Sequence, residues 1–271
     1  MSDIAERAKI FAALHAGPRL LVLPNAWDAG SARIIESAGA TAIATSSAAV
    51  AWAHGYPDGQ FMPFETLLAT VREITRVVRV PVSADIEAAY AADASTAATT
   101  VARVIEAGAV GINIEDGNDP PDLLVRKIEN LRTAAAKAGV ALWVNARIDT
   151  YLRRLVPPER AYDETVARAR RYREAGANSI FAPAVVEAQT IEKLVQAVAL
   201  PLNLLAWPGL PDAATLQRLG VRRLSAGSGI GKLALNHTLA LARAFLAEGR
   251  SEPFSEGPLG NPELNTMMRK D

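Results

Sequence analysis

The chain of 271 residues contains no cysteine. This absence excludes disulfides, zinc sites built from thiolates and a cysteine nucleophile, and it favours a cytoplasmic location. An excess of charge of one sign is also missing, since 29 basic residues balance 29 acidic ones. A neutral balance gives no support for a nucleic-acid or membrane partner, because both would need a basic surface.

Long apolar runs are absent as well, because no stretch approaches the ~20 residues that would span a bilayer. The first residues, MSDIAER, are polar and include acids, so we expect no secretory leader. Half of the chain is hydrophobic and only 21% is charged. This composition predicts a sizeable folded core rather than a disordered chain.

What is present is a β–α unit that repeats along the chain. The predicted strands are 20–27, 42–47, 80–86, 111–116, 141–148, 179–184, 201–206 and 222–227. A helical pattern follows each strand, and glycines such as Gly108 and Gly176 stand where helices should end, because glycine adopts the left-handed conformation that stops a helix. Strands that are apolar on both faces are typical of a parallel sheet covered by helices.

Eight such units predict an α/β fold, namely a (β/α)8 TIM-type barrel with a C-terminal helical extension. The competing architecture is a doubly wound sheet, but no Gly-x-Gly-x-x-Gly follows the first strand. We assign residues 1–248 to the barrel and 249–271 to an arm rich in Pro, Gly and Ser, with a short helix near 262–268. The arm either packs on a neighbouring subunit or forms a loosely ordered terminus.

Charged residues stand at the ends of three consecutive strands: Asp85-Ile86-Glu87, Glu115-Asp116 and Arg147-Ile148-Asp149. The carboxyl ends of the strands form the active-site face of a barrel, and buried carboxylates there need a positive partner. Carboxylates without His or Cys nearby suit a hard cation, Mg²⁺ first and Mn²⁺ second. Arg147 could then hold a substrate carboxylate. The alternative is an ion-pair network of Arg147 with Asp85 or Glu115 that only stabilises the barrel.

The segment after the second strand adds to this pattern. Ser46 and Ser47 could expose backbone N–H groups to an anionic ligand. Asp58 could reach the same cation, although 56–59 is also an ordinary turn signal. His54 by itself is more typical of a loop histidine than of a catalyst.

The combined motifs resemble the isocitrate lyase/phosphoenolpyruvate mutase superfamily over residues 17–248. The family motif Asp-x-Asp-x-Gly-Tyr-Gly is similar to Asp85-Ile86-Glu87-Ala88-Ala89-Tyr90-Ala91, and the motifs Ile-Glu-Asp and Ala-Arg-x-Asp recur without change. The other segments that carry the resemblance are 46–48, 55–58, 114–116 and 146–149.

This resemblance implies a Mg²⁺ ion and a bound 2-oxo acid whose enolate is stabilised by positive charge. The metal-site residues that it implies are Asp85, Glu87 and Glu115. The catalytic residues that it implies are Asp58, Glu87, Glu115 and Arg147, with Asp58, Glu87 and Glu115 assisting the metal through waters. The substrate-binding residues that it implies are Ser46, Ser47, Ala48, Asp85 and Arg147. It also implies a homodimer or homotetramer.

The chain departs from the family at several positions. The lyases carry a Lys-x-Cys-Gly-His loop after the fourth strand, whereas segment 117–122 is short and has no cysteine. Glu87 replaces an aspartate, and Ala89 and Ala91 replace glycines. These departures argue against cleavage of isocitrate or methylisocitrate.

The sequence therefore predicts a Mg²⁺-dependent lyase that cleaves a C–C bond in a small 2-oxo or 2-hydroxy polycarboxylate through a metal-stabilised enolate. One alternative is a phosphonopyruvate C–P mutase or hydrolase. A second is a barrel that binds a 2-oxo acid without catalysis, which the short 117–122 segment favours. The general base is left open, with Tyr56, Tyr90 and His54 as candidates.

Overall fold

The computed structural model describes residues 2–257 and 259–269. Within these residues the strands are β1 (Leu21–Leu23), β2 (Asn25–Ala26), β3 (Ile43–Thr45), β4 (Val82–Asp85), β5 (Gly111–Glu115), β6 (Trp143–Arg147), β7 (Ser179–Phe181), β8 (Leu202–Leu205) and β9 (Arg223–Ser225). All pair in parallel in the order β1-β9-β8-β7-β6-β5-β4-β3-β2. Pro24, which has no N–H to donate, separates β1 from β2. Because β1 pairs with β9 and β2 with β3, the sheet is nearly closed, and the predicted α/β TIM-type barrel is confirmed.

Helices surround this sheet. They are α1 (Ser2–Ala16), α2 (Ala29–Ser37), α3 (Ser47–Ala53), α4 (Phe64–Val77), α5 (Ala94–Glu106), α6 (Pro121–Lys137), α7 (Ala161–Ala175), α8 (Ala188–Val198), α9 (Ala213–Arg218), α10 (Gly229–Glu248) and α11 (Asn261–Met268). Gly108 and Gly176, at the ends of α5 and α7, have φ of 98° and 110°, as their predicted role requires. Across residues 2–257 and 259–269, no helix has the length and apolarity needed to cross a bilayer.

Two helices were absent from the predicted pattern. Helix α1 covers one end of the barrel, where the His15 ring stacks on Trp143 at 4.1 Å and the Phe11 ring meets it edge-on at 6.3 Å. Helix α3 lies directly after the second predicted strand, where we predicted no helix. It forms because Ser46 caps the segment, its Oγ accepting from the Ala49 N–H at 3.4 Å, and because the following alanines favour a helix.

The barrel interior is unusually polar. Arg223, on β9, is fully buried, and its Nη2 donates to Asn113 Oδ1 at 3.2 Å. The Asn145 Nδ2 donates to the same oxygen at 2.8 Å, and the Ser225 Oγ donates to Asn203 Oδ1 at 3.0 Å. These side chains alternate with apolar ones along the strands, so they form a polar layer beneath the active-site face.

In the C-terminal part, helix α10 is almost entirely exposed, whereas helix α11 packs on helix α2. Of the helix α10 residues, only Gly231 is buried. Helix α11, near the predicted 262–268, contacts α2 through Arg33, whose Nε donates to the Met267 carbonyl at 2.8 Å. Four residues of the two predicted segments, Met1, Pro258, Lys270 and Asp271, lie outside the described residues, and the division at residue 248 stays a prediction.

Candidate active site

A cavity of about 240 Å³ opens at the carboxyl ends of the strands. It is the place where a TIM-type barrel binds its substrates. The residues predicted from the sequence that line it are Ser46, Ser47, Ala48, Asp58, Asp85 and Arg147. The cavity therefore brings together residues from three separate segments of the chain, while the predicted Glu87 and Glu115 lie next to the cavity rather than on its surface.

Asp85 ends β4 and is only 8% exposed. Its Oδ1 accepts from the Glu87 N–H at 3.2 Å, and its own N–H donates to Thr45 Oγ1 at 2.8 Å. Burial raises the pKa of Asp85, while the positive charge of Arg147 opposes that rise. The orientation of the Asp85 carboxylate is therefore fixed, and the nearby positive charge of Arg147 does not fully offset its burial.

Glu87 lies in the turn after β4. Its Oε1 accepts from the Gln60 N–H at 3.2 Å and from the Tyr90 hydroxyl at 3.3 Å. Burial, together with the negative charges of Asp85 and Asp58, raises the pKa of Glu87 to about 7. The negative charges of Asp85 and Asp58 therefore disfavour the ionised form of Glu87.

Arg147, at the end of β6, is held by two carboxylates. Its Nη1 lies 2.7 Å from Glu115 Oε2, and its Nε and Nη2 lie 2.6 and 3.0 Å from the two oxygens of Asp149. Burial alone would lower the pKa of Arg147, but these carboxylates raise it. Burial also raises the pKa of Glu115 to about 8, against the lowering effect of Arg147. The ion pair with Glu115 exists, and Arg147 lines the cavity as well.

Asp116 and Asp149 support this arrangement from below. Asp116 Oδ1 accepts from the Asp149 N–H at 3.0 Å. Its Oδ2 accepts from Arg168 Nη1 at 2.9 Å and from the Tyr172 hydroxyl at 2.7 Å. A second guanidinium, that of Arg153, lies 2.8 Å from Asp149 Oδ2. These contacts fix the orientation of the Asp149 carboxylate, which accepts two hydrogen bonds from Arg147.

The donor set fits a hard divalent cation. The carboxylates around the cavity are Asp58, Asp85, Glu87, Glu115 and Asp149, against the guanidinium groups of Arg147 and Arg153. In the part of the chain that the structure describes, no three acidic or imidazole side chains are close enough to hold an ion among themselves. Mg²⁺ tolerates this, because it usually keeps several waters and takes only one or two carboxylates directly.

None of the three candidate bases lines the cavity, as far as the described chain extends. His54 Nε2 lies 2.9 Å from Thr70 Oγ1, on helix α4. Tyr56 is exposed in the following loop, and the Tyr90 hydroxyl donates to Glu87. The structure thus brings Tyr90 alone next to the acidic residues.

Several residues of the cavity were not among the predicted site residues: Asn25, Asn113, Leu152, Phe181, Pro183, Leu205, Trp207, Ser225, Gly227 and Ser228. Asn113 precedes Glu115 by two positions, so the period of two along a strand could have placed both on the inner face. Leu205 and Trp207 carry no such signal, because apolar residues at a strand end are also typical of plain packing.

The family profile of phosphoenolpyruvate phosphomutase matches residues 11–246. The chain belongs to the PEP mutase family. It is 35% identical over 243 residues to an uncharacterized protein of Mycobacterium tuberculosis, covering 87% of this chain and 89% of that protein. It is 29% identical to the 2-methylisocitrate lyase of Escherichia coli (72% and 68% covered) and 27% identical to an oxaloacetate decarboxylase of Pseudomonas fluorescens (87% and 83% covered).

Solved structures of this family agree with the fold. A Burkholderia cenocepacia protein solved as a candidate lyase/mutase is 32% identical, with a TM-score of 0.89 and coverage of 98% of this chain and 96% of that one. A phosphonopyruvate hydrolase solved with oxalate and Mg²⁺ shares the fold at 22% identity, with a TM-score of 0.84 and coverage of 96% and 94%. The relatives are lyases, decarboxylases and mutases, and the PEP mutase family member described here is an enzyme of the isocitrate lyase/PEP mutase superfamily.

Proposed function

We propose that the protein is a Mg²⁺-dependent lyase that cleaves a C–C bond in a small 2-oxo or 2-hydroxy polycarboxylate. The observation that carries this proposal is one cavity lined by both Asp85 and Arg147. A carboxylate able to bind a cation and a guanidinium able to bind a substrate carboxylate face the same 240 Å³ space. A small acid can contact both at once.

Asp85 would hold the cation directly, and Asp58, Glu87 and Glu115 would hold it through waters. When bound, Mg²⁺ or Mn²⁺ would supply positive charge where an enolate oxygen develops. Arg147 orients the substrate carboxylate, while Glu115 and Asp149 keep its guanidinium plane in place. Ser46, Ser47 and Ala48 follow the neighbouring strand β3 and would contact the acid beside Asp85.

Replacing Asp85 tests this function. We expect Asp85→Asn to lose metal-dependent release of pyruvate from a panel of 2-oxo acids by at least about 10³-fold, because a direct metal ligand is removed. Calorimetric titration with Mn²⁺ should show the loss of binding as well. Asp122→Asn is the matched control, since Asp122 is exposed and pairs with Arg171 at the surface. A fully active Asp85→Asn protein would contradict the mechanism.

Two other functions remain candidates. Phosphonopyruvate C–P mutase or hydrolase chemistry is supported by the family profile, and release of phosphate from phosphonopyruvate would establish the hydrolase. A barrel that binds a 2-oxo acid without catalysis is supported by the short segment between β5 and α6. It predicts thermal stabilisation by 2-oxo acids with no product from any of them.

We also propose that the protein assembles as a homodimer or homotetramer, with the arm 249–271 against a neighbouring subunit. Exposed apolar side chains along helix α10 support this assembly, among them Leu233 at 67% and Leu246 at 85%. An uncovered surface of this kind is uncommon on monomers.

A further inference from the structure

The two sides of the cavity differ in chemistry. Asp85, Asn113 and Arg147 form one side, at the ends of β4, β5 and β6. We call the other side the apolar wall, and it consists of Leu152, Phe181, Pro183, Leu205 and Trp207. Because β1 and β2 count as one position of the ring, β8 is four positions from β4 in either direction. Leu205 and Trp207, at the end of β8, therefore face Asp85 across the barrel mouth, and Phe181 and Pro183, at the end of β7, face the end of β3.

Charge on the apolar wall would be left unpaired. Within the described chain, Arg147 is the only cationic residue that lines the cavity, and it already contacts Glu115 and Asp149. An isolated carboxylate against an apolar surface loses several kcal/mol of hydration that nothing replaces. The part of the substrate that lies there should be uncharged, or should lose its charge as the reaction proceeds.

We propose that the fragment that leaves the substrate is uncharged. This proposal rests on the lyase function proposed above, and it extends the substrates from polycarboxylates to a 2-oxo monocarboxylate that releases an aldehyde. In one form, a 2-oxo acid with a carboxylate on carbon 3 loses CO₂. The electron pair of the broken bond stays on carbon 3 as the enolate of pyruvate, and solvent protonates that carbon. In the other form, a 4-hydroxy-2-oxo acid with an apolar substituent gives an aldehyde, and its hydroxyl proton passes to solvent while carbon 3 is again protonated.

The apolar wall favours such transition states over the ground state. A carboxylate that becomes CO₂ loses its charge, so apolar surroundings stabilise the transition state more than the bound substrate. A tricarboxylate such as 2-methylisocitrate would release a dicarboxylate against the same wall. The geometry thus favours the chemistry of the decarboxylases over that of the tricarboxylate lyases, although relatives of both kinds were found.

The test is a substrate panel with the full chain and Mg²⁺, followed by coupled detection of the oxo acid. Oxaloacetate and 4-hydroxy-2-oxopentanoate represent the two uncharged fragments, CO₂ and acetaldehyde, and enzyme-free blanks correct for spontaneous decarboxylation. We expect kcat/KM for one of them to exceed that for isocitrate and 2-methylisocitrate by at least about 100-fold. Preference for a tricarboxylate overturns this inference and leaves the lyase function standing, whereas no turnover of any substrate overturns both.

A charge placed on the apolar wall gives a second readout. Trp207→Arg should lower kcat/KM for the preferred substrate by about 10-fold or more. The ratio of this kcat/KM to that for the tricarboxylates should fall as well. Ile34→Arg is the matched control, because Ile34 is exposed to a similar degree (43% against 45%) but lies on helix α2. An unchanged substrate preference in a folded Trp207→Arg protein argues against the apolar wall as the determinant.

A second and independent observation concerns Lys127. This helix α6 residue is 2% exposed, and its Nζ donates to the carbonyls of Ala88 and Ala91 at 2.8 and 2.7 Å. A buried ammonium group that donates to backbone carbonyls still loses much of its hydration. Those carbonyls belong to the turn that carries Glu87.

The turn after β4 needs such support. Glu87, Ala89 and Tyr90 have φ of 51°, 71° and 50°, a region that side chains other than glycine adopt at a cost of about 1 kcal/mol or more each. Glycines that would remove this cost are absent from the turn. Without an external contact, the turn would relax and carry the Glu87 carboxylate away from Asp85.

We infer that Lys127 is a positioning residue for the metal site, acting through the turn and Glu87; this role rests on the proposed Mg²⁺ site. In Lys127→Met, the Kd for Mn²⁺ should rise by about 10- to 100-fold, while kcat at saturating metal falls less. Amide hydrogen exchange at 87–91 should accelerate. Lys137→Met, an exposed lysine at the end of the same helix, is the control and should change neither quantity.

The outcomes separate the two proposals. If the parent protein binds no Mn²⁺, both the proposed metal site and the positioning role of Lys127 are overturned. A parent that binds Mn²⁺ and a Lys127→Met protein that binds it equally well overturn only the role of Lys127. If Lys127→Met does not fold, Lys127→Arg takes its place, and there the bulkier guanidinium should still raise the Kd by at least about 3-fold.

Discussion

Asp116 does not line the cavity, but it makes several buried hydrogen bonds beneath it. It is 1% exposed and accepts hydrogen bonds from Arg168, Tyr172 and the Asp149 backbone. Removing its carboxylate leaves these donors unsatisfied in a buried place. We expect Asp116→Ala to lower the free energy of unfolding by about 3 kcal/mol.

Asp122 provides the control for that substitution. It stands six positions later, pairs with Arg171 on the same helix as Arg168, and is exposed. An exposed ion pair contributes about 0–1 kcal/mol, so Asp122→Ala should change stability little. Denaturant unfolding of both variants compares the two environments directly. Equal decreases in the free energy of unfolding would show that the burial of Asp116 does not contribute to stability.

His15 provides a pH-dependent test. Burial, with a smaller contribution from the positive charge of Arg223, lowers the pKa of His15 to about 3. Since the unfolded imidazole titrates near 6.5, its contribution to stability is complete above pH 6.5 and declines as the pH falls toward 3. Between pH 6.5 and 4.5, the titration of His15 alone should lower the free energy of unfolding by about 2–3 kcal/mol.

Other groups titrate in the same range, so the comparison needs a variant. His15→Gln can keep a donor for the Phe11 carbonyl, which lies 2.8 Å from Nδ1, but it does not titrate. The raised pKa of Glu87 acts in the opposite direction, because protonation of that buried carboxyl favours the folded state. The difference between parent and variant isolates His15, and parallel stability curves would refute the prediction.

Helix α1 was not predicted from the sequence, yet it packs very closely on the barrel. A Cβ atom on Gly111 would lie 2.6 Å from Cε1 of Phe11. The helix therefore packs on β5 where only glycine fits. Gly111→Ala should cost about 1–3 kcal/mol, because either the Phe11 ring or the strand must move.

Gly229→Ala is the matched substitution, since no atom lies within 4 Å of the new Cβ and the backbone is not left-handed. At the first position of helix α10 it should leave the free energy of unfolding unchanged within about 0.5 kcal/mol. Thermal and denaturant unfolding measure both. A tolerated Gly111→Ala would mean that α1 is held more loosely than its contacts with Trp143 indicate.

The elements that follow a strict period were predicted from the sequence, and those that depend on tertiary contacts were not. The strands and glycine-ended helices repeat one pattern, so their positions were confirmed within a few residues. Helix α3 was missed because a seven-residue segment has little periodicity, and its cap at Ser46 is a single contact. The turn after β4 has positive φ at Glu87, Ala89 and Tyr90, which propensity alone does not predict.

At the scale of the whole molecule, the sequence identified the charged side of the cavity and not its apolar side. Asp85 and Arg147 stood out because charge at the end of a buried strand requires compensation. Leu205 resembles any other core residue until the barrel closes and brings it opposite Asp85. The metal, the substrate, the assembly and the cytoplasmic location stay predictions.

The assembly has its own test. Leu233 and Leu246 on helix α10 are exposed in the single chain, and a second copy would cover them. We expect light scattering to give a dimer or tetramer for the parent and a smaller species for Leu233→Lys/Leu246→Lys. Ile10→Lys, an exposed apolar residue on α1, is the control and should keep the parental mass. A monomeric parent would rule out the proposed assembly.

The indole of Trp207 is 45% exposed at the rim of the cavity. The chain has four tryptophans, and the other three lie outside the cavity surface. The molecule thus carries its own optical reporter, whose emission should change when a compound fills the space beside it. Fluorescence titration, with Trp207→Phe as the blank, can rank compounds by affinity even when the enzyme does not turn them over, so a ligand search need not await an activity assay.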